Sequence, residues 1–127
     1  MTSVLADTSI RVDHFRRANP VLQTLVAMDQ VLCHPLVVLE LACGTPPAPR
    51  ERTLRDLKRL RQSVVATTDE TRLLIGKEQL YESGCGAVDV ALLASILLTP
   101  DALLWTTDKK LDALAVRLGV AYGQFRH

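Results

Sequence analysis

"SVLADTSIRVDHFRR" (residues 3–17) decides how the chain is read. "SVLA" (3–6) is a short apolar run suited to a buried strand, and it stops abruptly at Asp7. Thr8 and Ser9 follow, and from about 8 to 17 the pattern becomes helical. A strand that runs through a carboxylate straight into a helix is the opening of a strand–helix–strand unit. In sheets built from such units, sites form outside the carboxyl ends of the strands. Asp7 stands at such an end.

The alternation continues along the chain. "NP" (19–20) supplies an N-cap Asn and a Pro at the first helical position for "VLQTLVAM" (21–28). "QVLCH" (30–34) reads as a second strand, and Pro35 opens the helix "LVVLELAC" (36–43), closed by Gly44. After the stiff loop "TPPAP" (45–49), the helix "RERTLRDLKRLRQ" (50–62) carries Leu54, Leu57 and Leu60 as an apolar stripe. "VVA" (64–66) is expected as a third strand, and Thr67 with Glu70 forms a capping box for a helix to about Ser83. "GCGAVDVALLASILL" (84–98) reads as a helix apolar on nearly every side, and "ALLWT" (102–106) as a fourth strand. "DKKLDALAVRLG" (108–119) is amphipathic, with Leu111, Leu114, Ala115 and Leu118 on one face, and "VAY" (120–122) is a candidate fifth strand. This order predicts an α/β protein, one domain over residues 1–127, with right-handed crossovers and a parallel sheet covered on both faces.

Composition narrows the function. Aromatic residues make up 4% of the 127, so Leu, Val and Ala must fill the interior. Fifteen basic and fourteen acidic residues leave a formal charge of +1, which argues against a bulk-basic protein that coats nucleic acid. Any contact with RNA or DNA has to be local. The N-terminus lacks a basic region followed by a long apolar core, and the longest apolar run, "VALLASILL" (90–98), is too short to span a bilayer. The expectation is a cytoplasmic protein with no membrane contact. Cys33, Cys43 and Cys85 are odd in number and form no C-x-x-C pair, so they read as reduced thiols. Cys33 and Cys43 flank apolar segments and are expected in the core.

Four carboxylates stand where a surface charge does not belong. Asp7 and Asp108 each end an apolar strand; the structural reading of both is a helix N-cap. Glu40 lies inside "LVVLELAC", its neighbours at three and four residues being Val37, Leu36, Cys43 and Gly44. Asp89 occupies the first turn of the most apolar helix, where an unpaired carboxylate costs several kcal/mol. A helix-terminal dipole returns only about 0.3–1 kcal/mol of that. In a parallel sheet the four can converge on one edge. There they would raise one another's pKa unless something positive sat among them. Hard divalent cations take oxygen ligands, and Mg²⁺ is held by one or two carboxylates with several waters. Such an ion can polarise a phosphoryl oxygen and lower the pKa of a water. The residues therefore point to metal-assisted phosphodiester hydrolysis.

Other features carry less. Arg50, Arg52, Arg55, Lys58, Arg59 and Arg61 could meet RNA phosphates, but internal pairs with Glu51 and Asp56 make a solvated face the favoured reading. His14, His34 and His127 have no ligand spacing, and Trp105, inside a strand, is expected to pack. "GCGAVD" (84–89) lacks the third glycine of a dinucleotide fingerprint and follows a helix.

"ADTSIRVDHF", "CHPLVVLELACG", "SGCGAVDVALLAS" and "LWTTDKKL" together resemble, in order and spacing, the successive motifs of PIN-domain ribonucleases, most nearly VapC-type toxins of toxin–antitoxin pairs. The resemblance spans nearly the whole chain. It implies a three-layer α/β/α sandwich around a central parallel sheet of four to five strands. It implies Mg²⁺- or Mn²⁺-dependent endoribonuclease activity on structured RNA such as tRNA or rRNA, a VapB-type antitoxin partner and a homodimer. Carried over by motif, Asp7, Glu40, Asp89 and Asp108 are the acidic quartet, and Asp7 and Asp89 are the direct metal ligands. Thr8 or Ser9 would order the site. Some relatives carry an acid where this chain has Lys110; Asp112, on the same helix face as Asp108, is the available substitute, though it reads more simply as a solvated acid beside Lys109. One metal is therefore expected. Two other readings compete: a catalytically inactive PIN-like binding module, and a receiver-like signalling domain. The second fits poorly, because "LADTS" offers one acid and "VVATT" ends without one.

Overall fold

The computed structural model describes residues 2–123. Strands β1 (Ser3–Ala6), β2 (Val31–Cys33), β3 (Arg61–Gln62) and β4 (Ala102–Trp105) form one sheet in the order β3–β2–β1–β4. Every pairing is parallel: Leu5 stands opposite Leu32, Ala6 opposite Trp105, and Leu32 opposite Arg61. Seven helices surround it among the described residues: α1 (Thr8–Arg16), α2 (Pro20–Ala27), α3 (Pro35–Cys43), α4 (Arg50–Lys58), α5 (Thr68–Lys77), α6 (Ala87–Leu98) and α7 (Lys109–Arg117).

Alternation along the strands makes two cores. Val4, Ala6, Val31 and Trp105 pack with Ile10 of α1 and Leu22 of α2. Leu5, Leu32 and Leu104 point the other way and join Val37 and Leu41 of α3, Leu93 and Ile96 of α6, and Leu111 and Leu114 of α7. Helices therefore cover both faces, which is the three-layer α/β/α arrangement. Burying both faces explains why β1 is enclosed throughout.

Local signals set several boundaries. The Asn19 side chain accepts the Leu22 amide and Pro20 begins α2. Thr67 and Glu70 close their capping box at α5. His34 caps α3 through Nδ1, which accepts the Leu36 amide, and its Nε2 meets Ser95 Oγ at 2.9 Å. That pairing puts the ring proton on Nε2, and burial holds the imidazole neutral by lowering its pKa.

Five expectations need correction. The third strand is Arg61–Gln62, not 64–66. It is an exposed edge strand, so it needs no apolar run, whereas the 64–66 segment leaves the sheet and runs along α6, its amides bound by Thr99 and Ser95 hydroxyls. For the same reason α4 ends at Lys58 rather than continuing to 62. Helix α5 ends at Lys77 rather than near Ser83, because Gln79 and Glu82 take left-handed backbone (φ 55° and 63°). The 120–122 segment adds a single parallel bridge, Leu104 to Ala121, rather than a full strand. Cys33 is buried as expected, but Cys43, at the end of α3, is exposed. Trp105 packs as expected, its ring 5.1 Å from that of Tyr122.

Candidate active site

The strand order places the site. The chain steps outward from β1 to β2 to β3, then returns across the sheet to add β4 on the far side of β1. The switch point lies between β1 and β4, and their carboxyl ends carry Asp7 and Asp108. The Asp7 amide donates to the Trp105 carbonyl at 3.0 Å, which ties the two ends together. Both acids also cap helices. Asp7 Oδ1 accepts the Ile10 amide, and Asp108 Oδ1 accepts those of Lys110 and Leu111. The N-cap reading of each is correct, and it coexists with their convergence.

A hydroxyl network fixes this edge. Ser9 Oγ donates to Asp7 Oδ1 at 2.6 Å, accepts the Thr107 amide at 2.9 Å and stands 3.4 Å from Thr106 Oγ1. Thr106 Oγ1 in turn accepts the Asp108 amide. Thr8 Oγ1 donates to Glu40 Oε1 at 2.6 Å, which binds α3 to the start of α1. Thr8 and Ser9 thus each hold one acid. Thr106 was not anticipated; its signal in the sequence was a hydroxyl between the strand and Asp108 in "WTTD".

Asp89, in the first turn of α6, completes the group. Burial raises its pKa, and the negative charges of Asp108, Asp7 and Glu40 raise it further, against a smaller lowering from the Gly86 amide. The charges of the other three sequence-predicted acids therefore all reach Asp89. Asp7, only 5% exposed, is also raised by burial, with Ser9, Thr106 and Ile10 pulling the other way. None of the four is in an ion pair among the described residues. Asp112 is not among the charges that reach Asp89; its Oδ1 lies near Gly123 instead. A cleft of about 470 Å³ opens beside the cluster, lined by Thr8, Glu40, Val12, Phe15, Leu41 and Arg16 among others.

An all-oxygen donor set under mutual repulsion suits a hard divalent cation. Among the described residues no three His, Cys, Asp or Glu side chains are set to hold a metal by themselves.

The chain is 42% identical to ribonuclease VapC32 of Mycobacterium tuberculosis, in strains CDC 1551 / Oshkosh and ATCC 25618 / H37Rv, over 121 residues that cover 95% of this chain and 97% of the relative. The chain belongs to the VapC ribonuclease family. No protein-family model matches it. In fold it is similar to PAE2754 from Pyrobaculum aerophilum, whose crystal structure superposes with a TM-score of 0.58 at 16% identity, covering 93% of this chain and 90% of that one. VapC membership and the sheet topology together support the PIN-type architecture that the motifs suggested.

The basic segment of this VapC-family chain divides in two. Arg50 pairs with Glu51, Arg59 with Asp56 and Arg61 with Asp29, so half of its cations are internally balanced. The structure places them on the surface of α4 and the edge strand. His14 is a packing residue whose Nδ1 accepts the Asn19 amide. His127 lies outside the described residues.

Proposed function

We propose that the chain is a divalent-metal-dependent endoribonuclease and the toxin of a toxin–antitoxin pair, with Asp7, Glu40, Asp89 and Asp108 as its acidic site. The observation that carries this is electrostatic: the charges of three further acids near the switch point of the sheet all reach the Asp89 carboxyl, without an ion pair for any of them among the described residues. Asp7 and Asp89 would hold one Mg²⁺, or Mn²⁺ in its place. When bound, the ion supplies charge neutralisation at the phosphoryl oxygens and a water of lowered pKa.

The protein's own groups do the positioning. Ser9 and the Ile10 amide fix Asp7 Oδ1, and Thr8 holds Glu40 toward the same edge. Asp108 is anchored by two amides of α7. In this reading Glu40 and Asp108 orient the attacking water or accept its proton, general-base work suited to carboxylates in a crowded anionic pocket. The substrate is RNA, such as tRNA or rRNA; the partner is a VapB-type antitoxin, and the chain works as a homodimer in the cytoplasm. Family membership supports these last readings. No helix among the described residues is long and apolar enough to cross a membrane.

The test is cleavage of total RNA by the purified chain with Mg²⁺ or Mn²⁺. Cleavage should stop on chelation, and Asp7→Asn or Asp89→Asn should lower the rate on the order of 100-fold or more. Unchanged turnover in either variant, with its fold intact, ends the assignment.

A further inference from the structure

The side chain of Lys110 lies across the backbone of Gly84. A Cβ on Gly84 would stand 2.8 Å from Lys110 Cδ and 3.0 Å from Nζ, so only glycine leaves room for the lysine as it sits. Gly84 also has φ +87°, a backbone region that glycine enters freely. The segment that leads into α6 is thus shaped to receive an ammonium from the first turn of α7.

That ammonium shares one neighbour, the Cys85 thiol, with Asp89 and Asp108 and is not paired with either. The Cys85 thiol, next to Gly84, feels Asp89 and Asp108 as negative charges and Lys110 as a positive one, so all four groups share a neighbourhood. Yet Lys110 makes no ion pair among the described residues, and it is exposed. An acidic pocket repels a polyanion. A cation seated at its rim, with its donors free, offers a phosphate the contact that the carboxylates deny.

Building on the ribonuclease reading, we propose that Lys110 is a substrate-binding residue that holds an RNA phosphate adjacent to the scissile one, in a seat kept open by Gly84.

The test uses Lys110→Met, which keeps the aliphatic stem and removes the charge, with Lys110→Arg as the conservative variant. Binding of a labelled single-stranded RNA oligonucleotide is measured in chelator between 50 and 200 mM salt. Lys110→Met should bind several-fold more weakly, and the slope of log affinity against log salt should shrink by about 0.7, the value for one phosphate contact on a single strand. Lys110→Arg should retain both. With divalent metal, Lys110→Met should lose on the order of ten-fold in kcat/KM, mainly through KM. Equal affinity and equal salt slope in Lys110→Met, with an unaltered melting temperature, overturn the proposal. If the unmodified chain binds RNA through Lys110 yet cleaves none with any divalent ion, the ribonuclease reading falls and the phosphate contact stands.

Discussion

At the scale of single residues, the strangest side chain outside the site is Arg11. It lies on α1 and is 4% exposed, and its Nε and Nη2 have no hydrogen-bond partner among the described residues. Burial lowers its pKa; the interaction opposing that is with Cys33, itself held as a neutral thiol by burial. Two buried donors without acceptors each cost about 1–3 kcal/mol, and replacing a buried charge by an apolar group of similar volume is often stabilising. Arg11→Met should therefore raise stability by roughly 1–2 kcal/mol and the melting temperature by several degrees. Chemical denaturation measures it, and a midpoint that falls would show that the guanidinium has a partner of real value. Nothing in "IRVDHFRR" marks this arginine as buried, since helical periodicity places it between Ile10 and Val12 without saying which face meets the sheet. The acids were different. Asp7, Glu40, Asp89 and Asp108 were legible because each broke an apolar pattern, and a charge in such a place needs a reason.

At the scale of elements, the strands that sequence found are the enclosed ones. β1, β2 and β4 bury their residues and so must be apolar, whereas β3 is an edge of two exposed residues with no such constraint. The apolar residues Val64 and Val65 drew the expectation away from it, and both are exposed. What holds this segment is a hydroxyl on α6. Ser95 Oγ accepts the Ala66 amide, meets His34 Nε2 and donates to the Ala91 carbonyl. One side chain thus ties α6 to the cap of α3 and to the strand-like segment after β3. Ser95→Ala leaves the His34 Nε2–H and the Ala66 amide without their acceptor, a loss of about 1–3 kcal/mol. A cost below about 0.5 kcal/mol in urea denaturation would mean that water replaces the hydroxyl without penalty. The helix caps, by contrast, were read correctly at Asn19 and Thr67, because capping is local chemistry and needs no knowledge of the fold.

At the scale of the whole molecule, the sheet concentrates negative charge at one edge, and the fold must bear that cost when no cation is bound. Asp7 and Asp89 both have pKa values raised above 3.8, the first chiefly by burial and the second by burial and by its three acidic neighbours. A carboxyl whose folded pKa is raised binds its proton more tightly in the native state than in the unfolded one. Below the unfolded value both states are protonated and there is no penalty; as pH rises through 3.8 and then through the raised values, stability is lost. In chelator, this edge should therefore make the chain less stable at pH 7 than its other groups alone would allow. Asp89→Asn should raise the melting temperature at pH 7 and lose that advantage as the pH falls toward 4. A divalent ion bound there, as proposed, would reverse the same cost. At a hundred times its dissociation constant, Mg²⁺ or Mn²⁺ should add about 2.7 kcal/mol to the unmodified chain, and much less to Asp7→Asn or Asp89→Asn. Differential scanning measurements at pH 5 and pH 7, with and without metal, separate these effects. The metal-induced rise should shrink at the lower pH, where protons compete for the carboxylates. A melting temperature that ignores divalent ions at neutral pH, or a rise that survives both Asn substitutions, would place the cation elsewhere than the end of this sheet.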